Sequence, residues 1–538
     1  MSPAHRVHLK PNGYQFNISG DRPLLFELAD QGILLRSDCG GKGKCKKCQV
    51  SIERDGNDVD PVEACTFRVT ENLTLSIPEA SRLSSGIIDK APLLLPKSYM
   101  PLRPSFGEEQ SYGVAIDLGT TTIALYLCEL QTATVLSSLA IKNPQSIYGD
   151  DVMSRISAIN GFRGKTALLQ KPLVTFIDHT LSQLCEMTNV DVSSLVDLVV
   201  AGNPTMIHIL AGENPESIGI SPYRPVFTEF QELSADKLGF SFYRGRLLTL
   251  PLVSGFIGAD TVAAILAIDL ENQPTGTLLV DLGTNGEIVL LGENRMYATS
   301  CATGPAFEGA TLSCGMQATF GAIDRVEIDD CNTAPRCRVI TDTILIRKTR
   351  LRRKTRPVGI CGSGIVSALA AFIRTGIVDS SGLFNKVNLI PSLKKDAENR
   401  IYYELVSGKD SGNGSSISIS QKDIRAVQLG KAALRAGIDH LLKVADLRNL
   451  EKILVAGAFG SHIDPSDMIS LGMLPNISTD RIQTVGNAAG SGTVMALCNS
   501  DYFKKASHVA LTISNVDLAT NAGFQKTFID RLKFPDNM

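Results

Sequence analysis

Gly113-Val114-Ala115-Ile116-Asp117-Leu118-Gly119-Thr120-Thr121-Thr122 reads as a buried strand running into a glycine turn. Val114–Asp117 forms the strand, Gly119-Thr120-Thr121 the tight turn, and Ile123–Cys128 returns as a second strand. Such a hairpin can wrap a phosphate, because glycine lets backbone N–H groups approach the oxygens and threonine hydroxyls add donors. The arrangement recurs 164 residues later, where Gly276-Thr277-Leu278-Leu279-Val280-Asp281-Leu282-Gly283-Thr284-Asn285-Gly286 runs into Glu287–Leu291. One Asp-x-Gly-Thr turn is a weak signal, since such turns occur in unrelated loops. Two of them, each ending one strand and starting another, predict a pair of phosphate loops. Gly119, Thr120, Thr121 and Thr122 form the first, and Gly283, Thr284, Asn285 and Gly286 the second. Asp117 and Asp281 can orient a magnesium ion through water; aspartates that merely cap turns are the lesser reading.

A third piece completes the set. Lys452–Ala456 reads as a strand entering Gly457-Ala458-Phe459-Gly460, a turn poor in side chains that could admit adenine or ribose, so Gly457 and Gly460 are expected to border an adenosine. Helices are predicted at Gln421–Val444 and Ala488–Leu497. In this order the pieces resemble the acetate and sugar kinase, heat-shock chaperone and actin superfamily. That resemblance implies two similar lobes closing over ATP, each supplying one phosphate hairpin.

The amino-terminal part carries different chemistry. Cys39, Cys45, Cys48 and Cys65 follow the pattern C-x5-C-x2-C-x16-C, and Gly40, Gly41 and Gly43 let the loop fold tightly. Thiolates suit iron or zinc. Structural zinc sites usually pair two C-x2-C knuckles or add histidine, and here there is one knuckle with His8 the nearest histidine. Around the loop, His5–Leu9 and Tyr14–Ile18 predict a hairpin turned at Pro11-Asn12-Gly13, Leu24–Gln31 a helix closed by Gly32, and Gln49–Glu53 and Leu73–Ile77 strands. These elements resemble the β-grasp fold of [2Fe-2S] ferredoxins, which implies that the four cysteines ligate a [2Fe-2S] cluster, with zinc as the main alternative. The first gap is one residue longer than in the plant-type signature and resembles vertebrate-type and bacterial hydroxylase ferredoxins. The short gap before Cys65 implies that a helix usual between the third and fourth ligands is missing.

Composition bounds the remainder. At 538 residues, 43% apolar and 20% charged, the chain is long enough for two to four ordinary globular domains. Its 53 basic and 55 acidic side chains leave a net charge of −2, so no nucleic-acid partner is expected. The longest apolar runs, Val262–Ile268 and Gly364–Ile373, are too short for a membrane span, and the start lacks an apolar signal region, so a cytoplasmic location is expected. Eight of the 12 cysteines, Cys128, Cys185 and Cys498 among them, lack paired spacing and read as buried small hydrophobes. Pro92, Pro96, Pro101 and Pro104 precede Gly107-Glu108-Glu109 and read as a semi-rigid tether on which the front domain can swing. Arg347–Arg356 places seven positive charges in ten residues and reads as a solvated hairpin, with docking of an acidic partner the sharper alternative.

Ala201–Met206, Ala302–Ala310 and Gly359–Gly364 resemble signature blocks of ATP-dependent reductive activators of corrinoid proteins, and the resemblance is nearly chain-long. It implies an α/β ATPase behind an α+β front: a ferredoxin-like domain at 1–86, a Pro-rich linker at 87–111, and an actin/sugar-kinase-like ATPase at 112–538. Its lobes are expected at about 112–255 and 256–484, with 485–538 packing back. The implied activity returns cob(II)amide to cob(I)amide, with a [2Fe-2S] cluster, ATP and Mg2+ as cofactors. Implied partners are a corrinoid protein of a methyltransferase system, a low-potential electron donor and a second copy in a homodimer. Longer members carry a further domain where this chain has only a linker. Ser300 and the Cys301–Gly304 loop could face the cobalt, although a packed loop is the simpler reading. Two alternative functions remain, a small-molecule kinase and a chaperone-like ATPase, each with a redox-sensing cluster.

Overall fold

The computed structural model describes the chain except residues 1–4, 11–13, 32, 34, 38–40, 42, 44–45, 55–56, 79–80, 82–99, 101, 103–110, 162–165, 310, 329–334, 342, 347–348, 353–354, 386–390, 458–462, 519–521 and 536–538. It forms two compact units, Met1–Ala267 with Ala489–Leu511, and Ile268–Ala488 with Thr512–Met538.

The front of the first unit is a five-stranded sheet in the order Tyr14–Ile18, His5–Lys10, Leu73–Ser76, Gln49–Arg54, Asn57–Glu63. His5–Lys10 pairs in parallel with Leu73–Ser76 and the other neighbours are antiparallel, which is β-grasp topology. Period-two patterning supplies its core: Val7, Leu9, Phe16, Ile18, Val50, Ile52, Leu73 and Leu75 are buried. Pro23 precedes the Leu24–Asp30 helix, and the first helical amides find partners outside the helix, Leu24 N–H donating to Phe67 O at 2.7 Å and Leu25 N–H to Ala64 O at 2.9 Å. Asn57–Glu63 escaped the sequence reading because its charges and Pro61 mask a strand pattern. With Gln49–Arg54 it occupies most of the chain between Cys48 and Cys65, where no helix occurs among the described residues. Pro11–Gly13 and Gly32 lie outside those residues.

Most of the tether also lies outside the described residues, but Met100 does not. Its N–H donates to Cys498 O and its carbonyl accepts from Ser500 N–H, both at 2.9 Å. The front domain is seated as well, with the Phe26 ring stacked on Tyr148 at 5.2 Å between centroids. In this arrangement a buried aromatic contact lays the front domain against the rest of its unit.

Behind it stands a six-stranded sheet in the order Glu232–Ser234, Arg246–Thr249, Leu195–Gly202, Tyr112–Leu118, Thr122–Glu129, Thr134–Lys142. The second unit carries another: Ile482–Gly486, Lys452–Ala456, Thr277–Leu282, Gly286–Leu291, Met296–Cys301, Ile513–Asn515. Each places a parallel strand on one side of a Asp-Leu-Gly hairpin and an antiparallel strand on the other. The predicted hairpins are thus the centres of two equivalent sheets. The second unit adds a small sheet of Ala322–Glu327, Arg336–Val339 and Gly359–Ile360, and the arginine-rich segment folds as the hairpin Thr343–Ile346 with Thr349–Arg352. Its long helix spans Gln421–Val444, as the pattern predicts, and starts in a capping box of Ser420 and Asp423. The tail does not pack back as one piece: in the first unit, a Cβ on Gly492 of the Ala488–Cys498 helix would sit 1.8 Å from Ala263 O, whereas Ile513–Asn515 completes the second unit's sheet. No helix among the described residues is long and apolar enough to cross a membrane.

Candidate functional site

The two hairpins place their aspartates alike on the parallel side, although the first turn, with Leu118 opposite Ile123, is one residue longer than the second, with Leu282 opposite Gly286. Asp117 pairs across the parallel strand with Ala201, and Asp281 with Ala456. A glycine follows each alanine for the same reason, since a Cβ on Gly202 would lie 2.6 Å from Leu118 O and one on Gly457 would lie 2.6 Å from Leu282 O. At Gly457 the added carbon would also lie 2.7 Å from the Asp281 carboxylate, and φ is +92°. Gly457 therefore sits beside the aspartate; Gly460 lies outside the described residues.

In the first hairpin Gly119 N–H donates to Thr122 O at 3.1 Å, closing the turn. Asn143, immediately beyond the third strand, donates from Nδ2 to Gly119 O at 2.9 Å and from its backbone N–H to Thr121 O at 2.8 Å. Arg155, wholly buried, donates to Thr120 O at 2.6 Å, Gly149 O at 3.0 Å and Gln145 Oε1 at 3.2 Å. Asn203 Nδ2 donates to Thr120 Oγ1 at 2.8 Å while its Oδ1 caps the Pro204–Ala211 helix. These bonds hold the turn's carbonyls from behind. The second hairpin has a tighter closure, Gly283 N–H donating to Asn285 O at 3.0 Å, and its carbonyls are also held from a side chain, Thr303 Oγ1 donating to Gly283 O at 3.4 Å and Thr284 O at 3.2 Å. Thr284 Oγ1 donates to Glu308 Oε2 at 3.0 Å.

The acidic residue that sequence reasoning missed is Asp260, at the start of the Ala259–Ile268 helix. Burial pushes its carboxyl up to about 7; the Thr261 amide opposes this, and the charge of Asp117 adds to it. Its loop abuts the first hairpin's neighbour, since a Cβ on Gly258 would lie 2.6 Å from both Asn203 Cα and Asp260 Oδ1. The Thr205 and Thr261 hydroxyls are buried without a hydrogen-bond partner among the described residues. The elevated carboxyl of Asp260 near Asp117, a glycine turn and the unmatched Thr205 and Thr261 hydroxyls fit a hydrated magnesium nucleotide. The available signal for Asp260 was an acid directly ahead of an apolar helix. Arg155 and Asn143 had none, because their partners are distant in sequence.

In the front domain Cys48 and Cys65 are buried, and Ala64 N–H donates to Cys48 O at 2.9 Å. Gly41 and Gly43 adopt φ of +76° and +68°, the tight backbone a loop needs to wrap a cluster. Cys39 and Cys45 lie outside the described residues, so this structure brings together only half of the expected ligand set. Ser300 donates to Glu287 Oε1 at 3.1 Å, and Cys301 is buried under Gly437, with its thiol pushed up first by that burial. This segment is packed.

A model of the RACo middle region matches residues 112–273, and a model of the C-terminal domain of RACo, the ASKHA domain, matches 275–538. Corrinoid activation enzyme RamQ of Eubacterium limosum is 28% identical, over 95% of this chain and 96% of its own. The Co(II) methylated amine-specific corrinoid protein reductase of Methanosarcina barkeri is 26% identical, over 79% of this chain and 77% of its own. A solved reductive activator for corrinoid, iron-sulfur protein superposes with a TM-score of 0.71 at 26% identity, covering 99% of this chain and 98% of that one. With both RACo regions matched in order from Tyr112 to the last residue, the chain belongs to the RACo family.

Proposed function

We propose that this chain is an ATP-dependent reductive activator that returns the cob(II)amide of a corrinoid protein to cob(I)amide, ready for methyl transfer. The observation that carries the reading is the pair of registered Asp-Gly hairpins in one polypeptide with a β-grasp domain bearing a cysteine loop. The relatives' names agree with it.

Cys39, Cys45, Cys48 and Cys65 would hold a [2Fe-2S] cluster, which would supply single electrons; plant-type clusters lie near about −400 mV. A corrinoid's cobalt(II/I) couple lies lower, and each 100 mV of uphill transfer costs about 2.3 kcal/mol. A ligand at 100 times its dissociation constant biases a conformation by about 2.7 kcal/mol, so nucleotide binding is adequate for a modest gap. In this reading Gly119–Thr122 and Gly283–Gly286 hold phosphates, Asp117, Asp260 and Asp281 orient Mg2+ and its water, and Gly457 and Gly460 border the adenosine. A low-potential donor in the cytoplasm reloads the chain, which works alone or as a homodimer.

The test is anaerobic purification with iron and sulfide analysis, then mixing with a cob(II)amide-loaded corrinoid protein, a reductant and ATP. Cobalt(I) absorbance should rise with ATP and stay low without it. Equal yields in both samples refute the reading.

A further inference from the structure

We propose that Tyr148 is a positioning residue through which nucleotide at the first hairpin acts on the cysteine-bearing domain, so that ATP tightens the seat of that domain as well as the lobe that binds it. Resting on the proposed function, this adds a physical route between two sites. The route is a continuous set of contacts within one unit.

At one end, Asn143 holds Gly119 O and Thr121 O, the back of the phosphate turn. Asn143 also caps the short 3-10 turn Pro144–Tyr148, its Oδ1 accepting from Gln145 N–H at 2.9 Å. Gln145 is tied to the hairpin a second time, through Arg155 to Thr120 O. The turn ends at Tyr148, 3% exposed, whose ring lies on Phe26, 8% exposed, with 23° between the planes. Arg22, just ahead of the helix that carries Phe26, pairs with Asp30 at its end; burial raises the Tyr148 phenol, the Asp30 charge adds to this and the Arg22 charge opposes it.

At the other end, Phe26 is locked to the cysteines. Leu25 N–H donates to Ala64 O, and Ala64 N–H donates to Cys48 O, with Cys65 the next residue. Gly41 of the cysteine loop approaches so closely that a Cβ there would lie 2.8 Å from Phe26 Cζ. The second lobe shows what the turn does without this task. Its counterpart, Pro305–Glu308, follows the third strand in the same way but buries Phe307 against Gly430 of its own long helix, where a Cβ would lie 2.8 Å from the ring. The duplicated turn is an internal core element in one lobe and a seat for another domain in the other.

A phosphate that orders the Gly119–Thr122 turn orders Asn143 and the turn behind it, and through Tyr148 the Leu24–Asp30 helix. The experiment is hydrogen–deuterium exchange of the Leu24–Asp30 amides in the full chain, with and without a non-hydrolysable ATP analogue and magnesium, alongside calorimetric nucleotide affinity. Nucleotide should slow exchange about fivefold or more, the lower end of ordinary coupling between sites. Tyr148→Phe, which keeps the ring, should retain the effect. Tyr148→Ala and Phe26→Ala should lose it and bind nucleotide up to about fivefold more weakly, the reciprocal of the same coupling, and the double variant should lose no more than either single one. Equal slowing in Tyr148→Ala overturns the proposal, as does unchanged exchange in the parent with nucleotide bound. Failure of the parent to bind nucleotide shows separately in calorimetry and overturns the ATP-dependent reading itself. Should Tyr148→Ala fail to fold, Phe26→Ala tests the same contact from its other side.

Discussion

Replacing Gly457 by alanine should damage the second hairpin in a way that can be computed from its surroundings. The backbone there has φ of +92°, a region costing a side-chain-bearing residue about 1–3 kcal/mol. The new carbon would also sit 2.6 Å from Leu282 O and 2.7 Å from Asp281 Oδ1, and overpacking of that kind costs about 1–3 kcal/mol. Together these approach about 2–6 kcal/mol, and a unit of this size loses about 2–4 °C of melting temperature per kcal/mol. A drop of about 4–24 °C is expected in calorimetric melts. Because relief of the clash moves Asp281, affinity for a magnesium nucleotide should fall about tenfold or more, equivalent to about 1.4 kcal/mol. Gly202→Ala is the internal control: it meets the same carbonyl clash at 2.6 Å but lacks the positive φ. It should lose about 1–3 kcal/mol and no more. A Gly457→Ala protein that melts with the parent and binds nucleotide equally would refute the assignment of that glycine to the aspartate's support.

Asp260 makes stability depend on pH. Its folded carboxyl is raised to about 7 against an unfolded value near 4, so the folded chain holds an extra proton between those values and its stability contribution falls as pH rises through that window. Asp260→Asn should flatten that part of the melting-temperature profile between pH 4 and 7, by about as much as this one group contributes; an unchanged slope would count against the buried acid. Lys431 shows the opposite sign. Its ammonium is buried, donates to Arg531 O and Lys533 O, and burial lowers it to about 7, so the unfolded chain binds more protons up to about pH 10 and stability should rise with pH over that range. Lys431→Met should lose this rise and loosen the segment around Phe534, measurable by limited proteolysis of the carboxyl-terminal end. Cys48→Ser should abolish stable iron incorporation while leaving nucleotide affinity within about twofold of the parent, since its contacts lie in the front domain; loss of both would mean that the cysteine loop supports the lobe fold.

Much of the molecule was legible because its signals are local. An aspartate, a leucine and a glycine between two apolar runs, found twice in one chain, point to a strand, a tight turn and a returning strand, and both hairpins formed with the aspartates in equivalent register against the parallel strand. The long helix from Gln421 to Val444 carries its own cap and periodicity. Other features have no local signature. Asn57–Glu63 becomes a strand by pairing with Gln49–Arg54 despite a proline and several charges. Asn143, Arg155 and Asn203 reach the turn from 24, 35 and 83 residues away. Asp260 reads as an ordinary helix-start acid until burial beside Asp117 raises its carboxyl.

By itself the sequence determined which residues could meet phosphate and metal, because glycine, threonine, aspartate and cysteine carry those capacities in their own covalent chemistry. Only the tertiary structure decided which groups brace the phosphate turn, that the front domain meets the rest of its unit through Phe26 and Tyr148, and how the carboxyl-terminal segment is shared between the two units. The physical reason is that hydrogen bonding and burial depend on distances in space, and the residues that supply them here are far apart along the chain.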